Sequence, residues 1–232
     1  MKRPDGVVYV VAKPPRPGVS KTRLCPPLPP DQAAHLAAAF LRDTLSNVTL
    51  AGLRPRIVCR GMTEQQELRR LAGPPTQVSI QSGAGLGDAL DGAFREGLAD
   101  GFAAVAVLGA DSPTLPALVI REAFAALTDD NDVALGPAEG GGYYMLAARR
   151  AHPWLFHDMP WSTDRVASET VRRCRALGLR THVLPAWYDV DDAASLAILR
   201  MDLRRLPMST APHTRAALAA LDDVTMRPGR AA

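Results

Sequence analysis

The sequence predicts a three-layer, Rossmann-like α/β fold, in which a mostly parallel sheet carries helices on both faces. Short apolar runs alternate along the chain with stretches of helical spacing, a pattern typical of β-α units. The clearest run, residues 104–108 (A-V-A-V-L), contains no polar residue. Such a run is expected of a strand that is buried on both faces of a parallel sheet. At 232 residues, 47% of them hydrophobic, the chain is long enough for one large domain of this type.

The first half of the chain predicts three strand–helix units. Its strands are short, and the run G-V-V-Y-V-V-A at residues 6–12 is strongly β-branched. Its helices show apolar residues at three- and four-residue spacing or open on a capping residue such as Thr63. We expect strands over residues 6–12, 54–60 and 77–81, and helices over residues 31–50, 63–71 and 86–100.

The second half continues this alternation after the strand at residues 104–108. Pro113 and Pro116 indicate the start of a helix, and W-S-T-D at residues 161–164 offers a cap for another. We expect a single domain over residues 1–224 and a frayed tail over residues 225–232. The expected helices are residues 118–127, 165–177 and 193–200, the expected strands are 133–135 and 180–185, and helices with polar turns follow from residue 201.

Composition excludes several classes of function. The net charge of +3 suits the binding of small anionic substrates such as phosphates. The basic residues are scattered and aromatic residues make up only 5% of the sequence, which argues against a nucleic-acid-binding protein. The three cysteines, Cys25, Cys59 and Cys174, are widely spaced, so we expect free thiols. Free thiols indicate a reducing compartment, so we expect a cytoplasmic protein. The apolar run at residues 7–12 is too short for a signal peptide, and no stretch is long enough to span a membrane. The helices over residues 201–221 can pack on their own domain or on a second copy, which leaves a homodimer open.

A proline-rich segment with four cations follows the first strand. Residues 13–30 read K-P-P-R-P-G-V-S-K-T-R-L-C-P-P-L-P-P, and the prolines restrict the backbone. Cations at the carboxyl end of a strand can bind a polyphosphate, whereas the alternative is a solvated basic loop. The residues concerned are Lys13, Arg16, Gly18, Lys21 and Arg23.

Two glycine-rich turns follow later strands. The turn S-G-A-G-L-G-D at residues 82–88 lets the backbone approach a ligand, but its spacing does not match the dinucleotide fingerprint G-x-G-x-x-G. The turn at residues 136–144, G-P-A-E-G-G-G-Y-Y, implies a close approach to a ligand or to another strand. Trp161, just before the predicted cap, is either a hydrophobic staple or a platform for a substrate.

Acidic residues follow the central strand and a late strand. Asp111 lies where ligands bind in open α/β sheets, although it can equally cap the next helix. Asp189 and Asp191 face the same way in an extended D-V-D segment. If the late strand neighbours the central one, Asp111 and one of these acids can share Mg²⁺ (or Mn²⁺), which prefers a few carboxylates with phosphate and water. The acidic turn at residues 129–132 is expected to be a solvated loop.

The ordered motifs together resemble one family. K-P-P-R-P-G-V-S-K-T-R-L-C-P-P-L is followed by Q-S-G-A-G-L-G-D-A-L, G-A-D-S-P-T-L-P, G-P-A-E-G-G-G-Y-Y-M, W-S-T and D-V-D-D-A-A-S-L. This set spans residues 7–199 and is similar to the bacterial GT-A-like transferases related to 2-phospholactate guanylyltransferase and molybdopterin guanylyltransferase. Within them, the chain is most similar to a subgroup labelled glycosyltransferase, which has no settled substrate.

The resemblance implies a nucleotide-diphospho-sugar transferase fold and a role for each motif. The basic segment would bind the nucleotide phosphates, the first glycine turn the base, and the acids a metal ion. The implied residues are Lys13, Arg16, Lys21 and Arg23 at the phosphates, Gln81, Gly83 and Gly87 at the base, Asp111 and Asp191 (with Asp189 as the alternative) at the metal, and Gly141, Gly142, Tyr143, Trp161 and Ser162 at the acceptor, with Lys21, Arg23 and Asp111 expected to be catalytic.

The chain departs from this family at two places. The family usually reads D-G-G-Y, and in this chain Gly140 replaces the acid. The family's T-P-E-D-L is here D-A-A-S-L at residues 192–196, which we expect to alter only a helix cap.

Three functions follow from these observations. The first is a Mg²⁺-dependent nucleotidyltransferase that joins a nucleoside triphosphate to a small phosphorylated acceptor and releases pyrophosphate. The second is a glycosyltransferase with a nucleotide-sugar donor and a sugar acceptor. The third, motivated by Gly140, is an inactive nucleotide-binding protein.

Overall fold

The computed structural model describes residues 5–128 and 130–225. Within them, one sheet contains seven strands and seven α-helices surround it. The predicted tail lies outside the described residues except for Thr225, and Asp129 of the acidic turn also lies outside. The strands are β1 (Gly6–Val11), β2 (Arg54–Cys59), β3 (Gln77–Ile80), β4 (Ala104–Gly109), β5 (Val133–Pro137), β6 (Tyr143–Ala148) and β7 (Thr181–Val183). The helices are α1 (Pro30–Leu50), α2 (Met62–Ala72), α3 (Leu86–Ala99), α4 (Ala117–Ala125), α5 (Val166–Ala176), α6 (Ala193–Arg205) and α7 (Pro212–Thr225).

The sheet has the order β3-β2-β1-β4-β6-β5-β7. All neighbouring strands are parallel except at β6, which runs antiparallel to both β4 and β5. The predicted central strand is indeed internal, since β4 pairs with β1 along its whole length, from Ala104 to Gly109. The mostly parallel α/β fold is therefore confirmed, and the antiparallel β6 is an addition to it.

Helices cover both faces of the sheet, as predicted. On one face, side chains of α1, α2 and α4 pack against apolar residues of the central strands, for example Leu68 and Ile120. On the other face, α3 and α5 contribute Phe94 and Cys174 to a second core. Because apolar side chains of β4 alternate between the two cores, the all-apolar run of this strand has its expected physical cause.

The last two helices pack on α1 of the same chain. Leu36 and Phe40 of α1 join apolar residues of α6 and α7 in a third cluster. The buried carboxylate of Asp43 accepts hydrogen bonds from the His213 and Thr214 amides at 3.1 and 2.7 Å, and from the Thr214 hydroxyl at 2.6 Å. This carboxylate satisfies donors at the start of α7, which otherwise have no partner within the helix.

Three helix caps expected or considered from the sequence do not form. Pro116 does mark the start of α4, but Asp111 does not cap this helix, because the chain makes a further turn between Asp111 and Pro116. Thr63 does not cap α2 either, since the N-cap is Gly61 and no side chain caps the helix. Likewise Arg165 precedes α5, and no side chain of the W-S-T-D segment caps it. By contrast, Asp192 and Ser195 form a capping box at the start of α6, so the altered D-A-A-S-L sequence keeps a cap.

The described part of the chain has three further relevant features. Cys25, Cys59 and Cys174 are free thiols. In the acidic turn, Asp132 accepts hydrogen bonds from the Arg180 amide and guanidinium at 2.9 and 3.2 Å, which connects the start of β5 to β7. Among the described helices, none combines the length and the apolar character needed to cross a membrane.

Candidate active site

Two adjoining chambers open at the carboxyl edge of the parallel strands. The first chamber, of about 480 Å³, lies between the segment after β1 and the ends of β2 and β3. The second chamber, of about 630 Å³, lies between the end of β4, the start of the antiparallel β6 and residues 161–166. The residues that line both chambers are Val11, Arg23, Leu86, Asp111, Trp161, Ser162 and Asp191.

Asp111 and Asp191 stand at the boundary of the chambers and bind one ammonium group between them. Lys21 Nζ lies 2.5 Å from Asp111 Oδ1 and 3.0 Å from Asp191 Oδ1. Arg23 binds the other oxygen of Asp191 at 2.6 Å. The structure thus brings together the four predicted residues Lys21, Arg23, Asp111 and Asp191. A fifth, Asp189, lines only the second chamber.

A crossing segment, residues 184–192, brings the late acids to the central strand. The hypothesis that the late strand neighbours the central one is wrong, because β7 is the far edge strand, separated from β4 by β5 and β6. The segment instead crosses the carboxyl edge of the sheet, where the Leu184 and Trp187 amides donate to carbonyls of β5. Near its end lies the buried Val190, whose amide donates to the Asp111 carbonyl at 2.8 Å.

Asp189 is held on the side of the second chamber. Its Oδ1 accepts a 2.7 Å hydrogen bond from the Ser112 hydroxyl. Burial raises the pKa of Asp189 above its usual range, and the nearby charges of Asp111 and Asp191 add to this rise, while the Ser112 hydrogen bond opposes it. Asp189 and Asp191 therefore have different surroundings, and only Asp191 forms ion pairs with both Lys21 and Arg23 in the described structure.

The basic segment divides between two locations. Lys13, Lys21 and Arg23 line the first chamber, where predicted phosphate-binding residues are expected. Arg16 is not among the lining residues, because its guanidinium forms a bidentate ion pair with Glu67 of α2 at 2.5 and 2.7 Å. Gly18 is exposed, has a φ of 72° and lies outside the lining, so its contribution is to the turn.

Of the three residues expected at the base, Gln81 alone lines the first chamber. Gly83 has a φ of 81°, and its carbonyl accepts a 3.0 Å hydrogen bond from the Gln81 side chain. Gly87 allows the start of α3 to approach the Phe156 carbonyl, which a Cβ atom would meet. Two amides of the turn are already engaged, since Asp88 Oδ2 accepts from the Ala84 and Gly85 amides at 3.1 and 3.0 Å.

The residues expected at the acceptor surround the second chamber, with one exception. Gly142 and Tyr143 line it, and Trp161 and Ser162 line both chambers. The rings of Tyr143 and Trp161 meet edge to face at 6.3 Å, so the two side chains form one aromatic surface beside the chamber. Gly141 is instead a backbone contact. Its φ is 82°, and an added Cβ atom would meet the backbone of Asp164.

Several residues of the site could not be predicted from the sequence. Ser112 lines neither chamber, but its hydrogen bond to Asp189 holds that acid beside the second one, and this bond depends on the crossing segment. Glu64 lines the first chamber and accepts a 2.8 Å hydrogen bond from the Arg60 amide, and Asp164 lines the second. No local pattern marks these residues, because a carboxylate near a helix start is common in any α/β chain.

The acid pair fits a hard divalent cation bound together with phosphate. Among the described residues, no group of three or more His, Cys, Asp or Glu side chains could hold a metal ion by itself. Asp111 and Asp191 offer two carboxylates directed at one cationic group. In many proteins, Mg²⁺ is bound by one or two carboxylates, and phosphate oxygens and water complete its coordination. The residues thus suit a metal that is shared with a phosphorylated ligand.

Comparison with known protein families identifies the chain. The family model described as "Uncharacterized protein conserved in bacteria (DUF2064)" matches residues 44–163, just over half of the sequence. The chain belongs to the DUF2064 family. This DUF2064 protein is also 32% identical over 184 residues to a 2-phospho-L-lactate guanylyltransferase of Halorubrum lacusprofundi, and the match covers 77% of this chain and 78% of the relative. The predicted relationship to guanylyltransferases is thereby confirmed.

Solved structures agree with this membership. A protein of Desulfovibrio desulfuricans G20, provisionally described as a nucleotide-diphospho-sugar transferase, superposes with a TM-score of 0.85 at 28% identity, covering 94% of this chain and 97% of that one. A CMP:2-keto-3-deoxy-manno-octonic acid synthetase in complex with CTP has a TM-score of 0.55 at 15% identity, covering 86% of this chain and 98% of that one, and this likeness concerns the fold alone. The DUF2064 chain therefore has the nucleotide-diphospho-sugar transferase fold.

Proposed function

We propose that this protein is a Mg²⁺-dependent nucleotidyltransferase that joins a nucleoside triphosphate to a small phosphorylated acid and releases pyrophosphate. One observation carries the proposal: the Asp111–Asp191 pair stands at the boundary of two chambers, one of which is lined by four cationic residues, Lys13, Lys21, Arg23 and Arg60. A transfer between two bound phosphates needs such an arrangement, in which both substrates reach one acidic pair. The name of the Halorubrum relative supports GTP and a 2-phospho-L-lactate-like acceptor as first candidates.

The first chamber suits the triphosphate. Lys13 and Arg23 line it, and their charges would oppose the negative charge of the phosphates. Gln81, at the end of β3, borders the side of the chamber expected to hold the base. Arg16 would stabilise the basic segment (residues 13–30) indirectly, because its ion pair with Glu67 attaches this segment to α2.

The second chamber suits the acceptor. Tyr143 and Trp161 give it an aromatic wall, and Gly142 leaves the backbone accessible. In the proposed reaction, an oxygen of the acceptor phosphate attacks the α-phosphorus, the bond from that phosphorus to the β-bridging oxygen breaks, and the electron pair leaves with pyrophosphate. A bound Mg²⁺ would supply Lewis-acid stabilisation of phosphate charge, and Asp111 and Asp191 would hold it. Catalysis then rests on positioning and charge neutralisation.

A pyrophosphate-release assay tests this function. The protein and Mg²⁺ are incubated with each of the four nucleoside triphosphates and with 2-phospho-L-lactate or related phosphorylated acids. We expect release that depends on both substrates, and loss of at least about 100-fold in Asp111→Asn, because an electrostatic group at the reacting phosphate is removed. Asp31→Asn, which changes an exposed carboxylate at the start of α1, is the matched control and should keep the parent rate. Absence of release with every pair would contradict the proposal.

A glycosyltransferase is the second candidate, favoured by the description of the Desulfovibrio structure. It would use a nucleotide-sugar donor, and because this donor carries a diphosphate, it would need fewer cations in the basic segment. The two candidates separate in one experiment, since nucleotide-sugar hydrolysis or transfer without any pyrophosphate release would favour the glycosyltransferase. Nucleotide binding without either turnover would favour an inactive binding protein.

A further inference from the structure

The Lys21 ammonium group is enclosed by protein atoms. Three oxygens surround Nζ: Asp111 Oδ1 at 2.5 Å, the Val190 carbonyl at 2.7 Å and Asp191 Oδ1 at 3.0 Å. An ammonium group has three N–H donors, so it faces as many acceptors as it can use. The side chain is only 6% exposed, and Nζ also lies 5.6 Å from the centre of the Phe40 ring. Lys21 therefore differs from a solvated phosphate-binding lysine.

We propose that Lys21 is a positioning residue that occupies the cation position of the Asp111–Asp191 pair and competes with the divalent ion for the same oxygens. The inference rests on the proposed function, because it concerns the metal that this function requires. Lys21 would hold the two acids together until a metal-bound polyphosphate enters the first chamber. The ammonium group would then move to the phosphates, and the divalent ion would take its place between the acids.

Electrostatics supports a competition between the two cations. Asp111 and Asp191 both approach one nitrogen atom within 3.0 Å, so their charges would repel each other without a cation between them. A single positive charge relieves this repulsion, and a second cation cannot bind the same oxygens while the first remains. The metal alone would therefore bind weakly, whereas the phosphates offer Lys21 an alternative partner and would make the exchange favourable.

Arg23 provides the matched comparison for Lys21. It also carries one positive charge and binds Asp191 at 2.6 Å, but its side chain is 71% exposed and it does not bridge to Asp111 in the described structure. If general charge near the acids controls metal affinity, removal of either cation should have the same effect. If occupation of the shared position controls it, only removal of Lys21 should have a large effect.

Metal binding without nucleotide tests the proposal directly. The affinity for Mn²⁺ alone is measured by titration with electron paramagnetic resonance detection of free Mn²⁺, for the parent, Lys21→Met and Arg23→Met. We expect Lys21→Met to bind Mn²⁺ at least about tenfold more tightly than the parent, since the ammonium group that occupies the position of the ion between the two acids is removed. Arg23→Met should gain less than about threefold, because its exposed charge is screened. Unchanged or weaker Mn²⁺ binding by Lys21→Met would overturn the proposal.

A second set of measurements guards against misfolding of the variant. Thermal unfolding of Lys21→Met should occur at a lower temperature than for the parent in a chelating buffer, and Mn²⁺ should restore more stability to Lys21→Met than to the parent. In Lys21→Met/Asp111→Asn, one of the two acids is gone, so the gain in Mn²⁺ affinity should disappear. A gain that persists in this double variant would refute the shared position.

These readouts do not depend on turnover. Failure of the pyrophosphate assay with every substrate would contradict the proposed function and would leave the Mn²⁺ result to be judged by itself. Conversely, an active enzyme whose Lys21→Met variant binds Mn²⁺ no better than the parent would contradict the role of Lys21 alone.

Discussion

The hydroxyl of Ser112 donates a 2.7 Å hydrogen bond to Asp189, and this bond connects the end of β4 to the crossing segment. Ser112 is buried, and the Val190 amide makes a second connection to Asp111 beside it. Both bonds place the late acids at the central strand without help from strand pairing. The geometry of the acid pair should therefore be sensitive to them.

Ser112→Ala should weaken this connection. The Asp189 carboxylate loses a hydrogen bond in a place where burial already raises its pKa, so we expect the free energy of unfolding to fall by about 1 kcal/mol. Urea denaturation at pH 7 measures the loss. Ser168→Ala, whose hydroxyl binds the Arg165 carbonyl in its own helix, should change stability less. Equal losses in the two variants would show that the Ser112 bond has no special importance.

Gly141→Ala should damage the second chamber, whereas Gly140→Ala should not. At Gly141 a Cβ atom would meet the backbone of Asp164, and its φ of 82° disfavours any other residue. At Gly140 a Cβ atom would meet nothing within 4 Å. We expect Gly141→Ala to lose about 2 kcal/mol of stability from strain and close contact. Thermal unfolding of the two variants, followed by acceptor titration in the pyrophosphate assay, distinguishes them, and similar behaviour would argue against the contact with Asp164.

Asp43→Ala should detach the start of α7 from α1. The variant leaves the His213 and Thr214 amides without the acceptor that serves them now, and loss of such a buried cap costs about 2 kcal/mol. Arg42→Ala, on the exposed side of the same helix, is the control. Chemical denaturation should show a large loss for the first variant only. If Asp43→Ala is as stable as the control, α7 does not depend on this carboxylate.

Glu169 should make a pH-dependent contribution to stability. Its ion pairs with Arg172 and Arg173 lower the pKa of Glu169 from 4.5 to about 2. A carboxylate whose folded pKa is lowered stabilises the fold above its unfolded pKa and loses that contribution as the pH falls through the folded value. The difference in unfolding free energy between the parent and Glu169→Gln should thus be constant near neutrality and shrink from about pH 4.5 to about pH 2.

Urea denaturation at a series of pH values measures this difference. Glu139→Gln, an exposed glutamate in the turn before β6, gives the control curve. A difference between the parent and Glu169→Gln that does not vary with pH would contradict the role of the ion pairs.

The local features of the fold could be predicted from the sequence because their causes are local. The all-apolar β4 and the β-branched β1 are each determined by burial on both faces, which a single stretch of sequence displays. The strand β6 was not predicted, because a short apolar run such as residues 145–148 does not by itself distinguish a strand from other buried structure. Such a run also does not indicate whether a strand is parallel or antiparallel to its neighbours. The direction of β6 follows from its place between β4 and β5.

The candidate site was partly predictable for the same reason. Asp111, Asp191, Lys21 and Arg23 follow strands or belong to distinctive motifs, and the structure brings them together. The partner of Arg16 could not be predicted, because Glu67 lies on a different helix and no spacing relates the two. The same holds for the crossing segment, whose course depends on backbone hydrogen bonds to β5 and to Asp111.

The boundary of the two chambers, at Asp111 and Asp191, has a consequence for inhibition. A product formed across Asp111 and Asp191 would extend into both chambers at once, so its two halves must leave together. A compound that links a nucleotide to an acceptor analogue would gain from the same geometry, because binding of its second half becomes intramolecular. Such tethering can raise overall affinity by about 10²- to 10⁴-fold over either half. A nucleotidyltransferase with this geometry should accordingly show product inhibition and should bind bisubstrate inhibitors tightly.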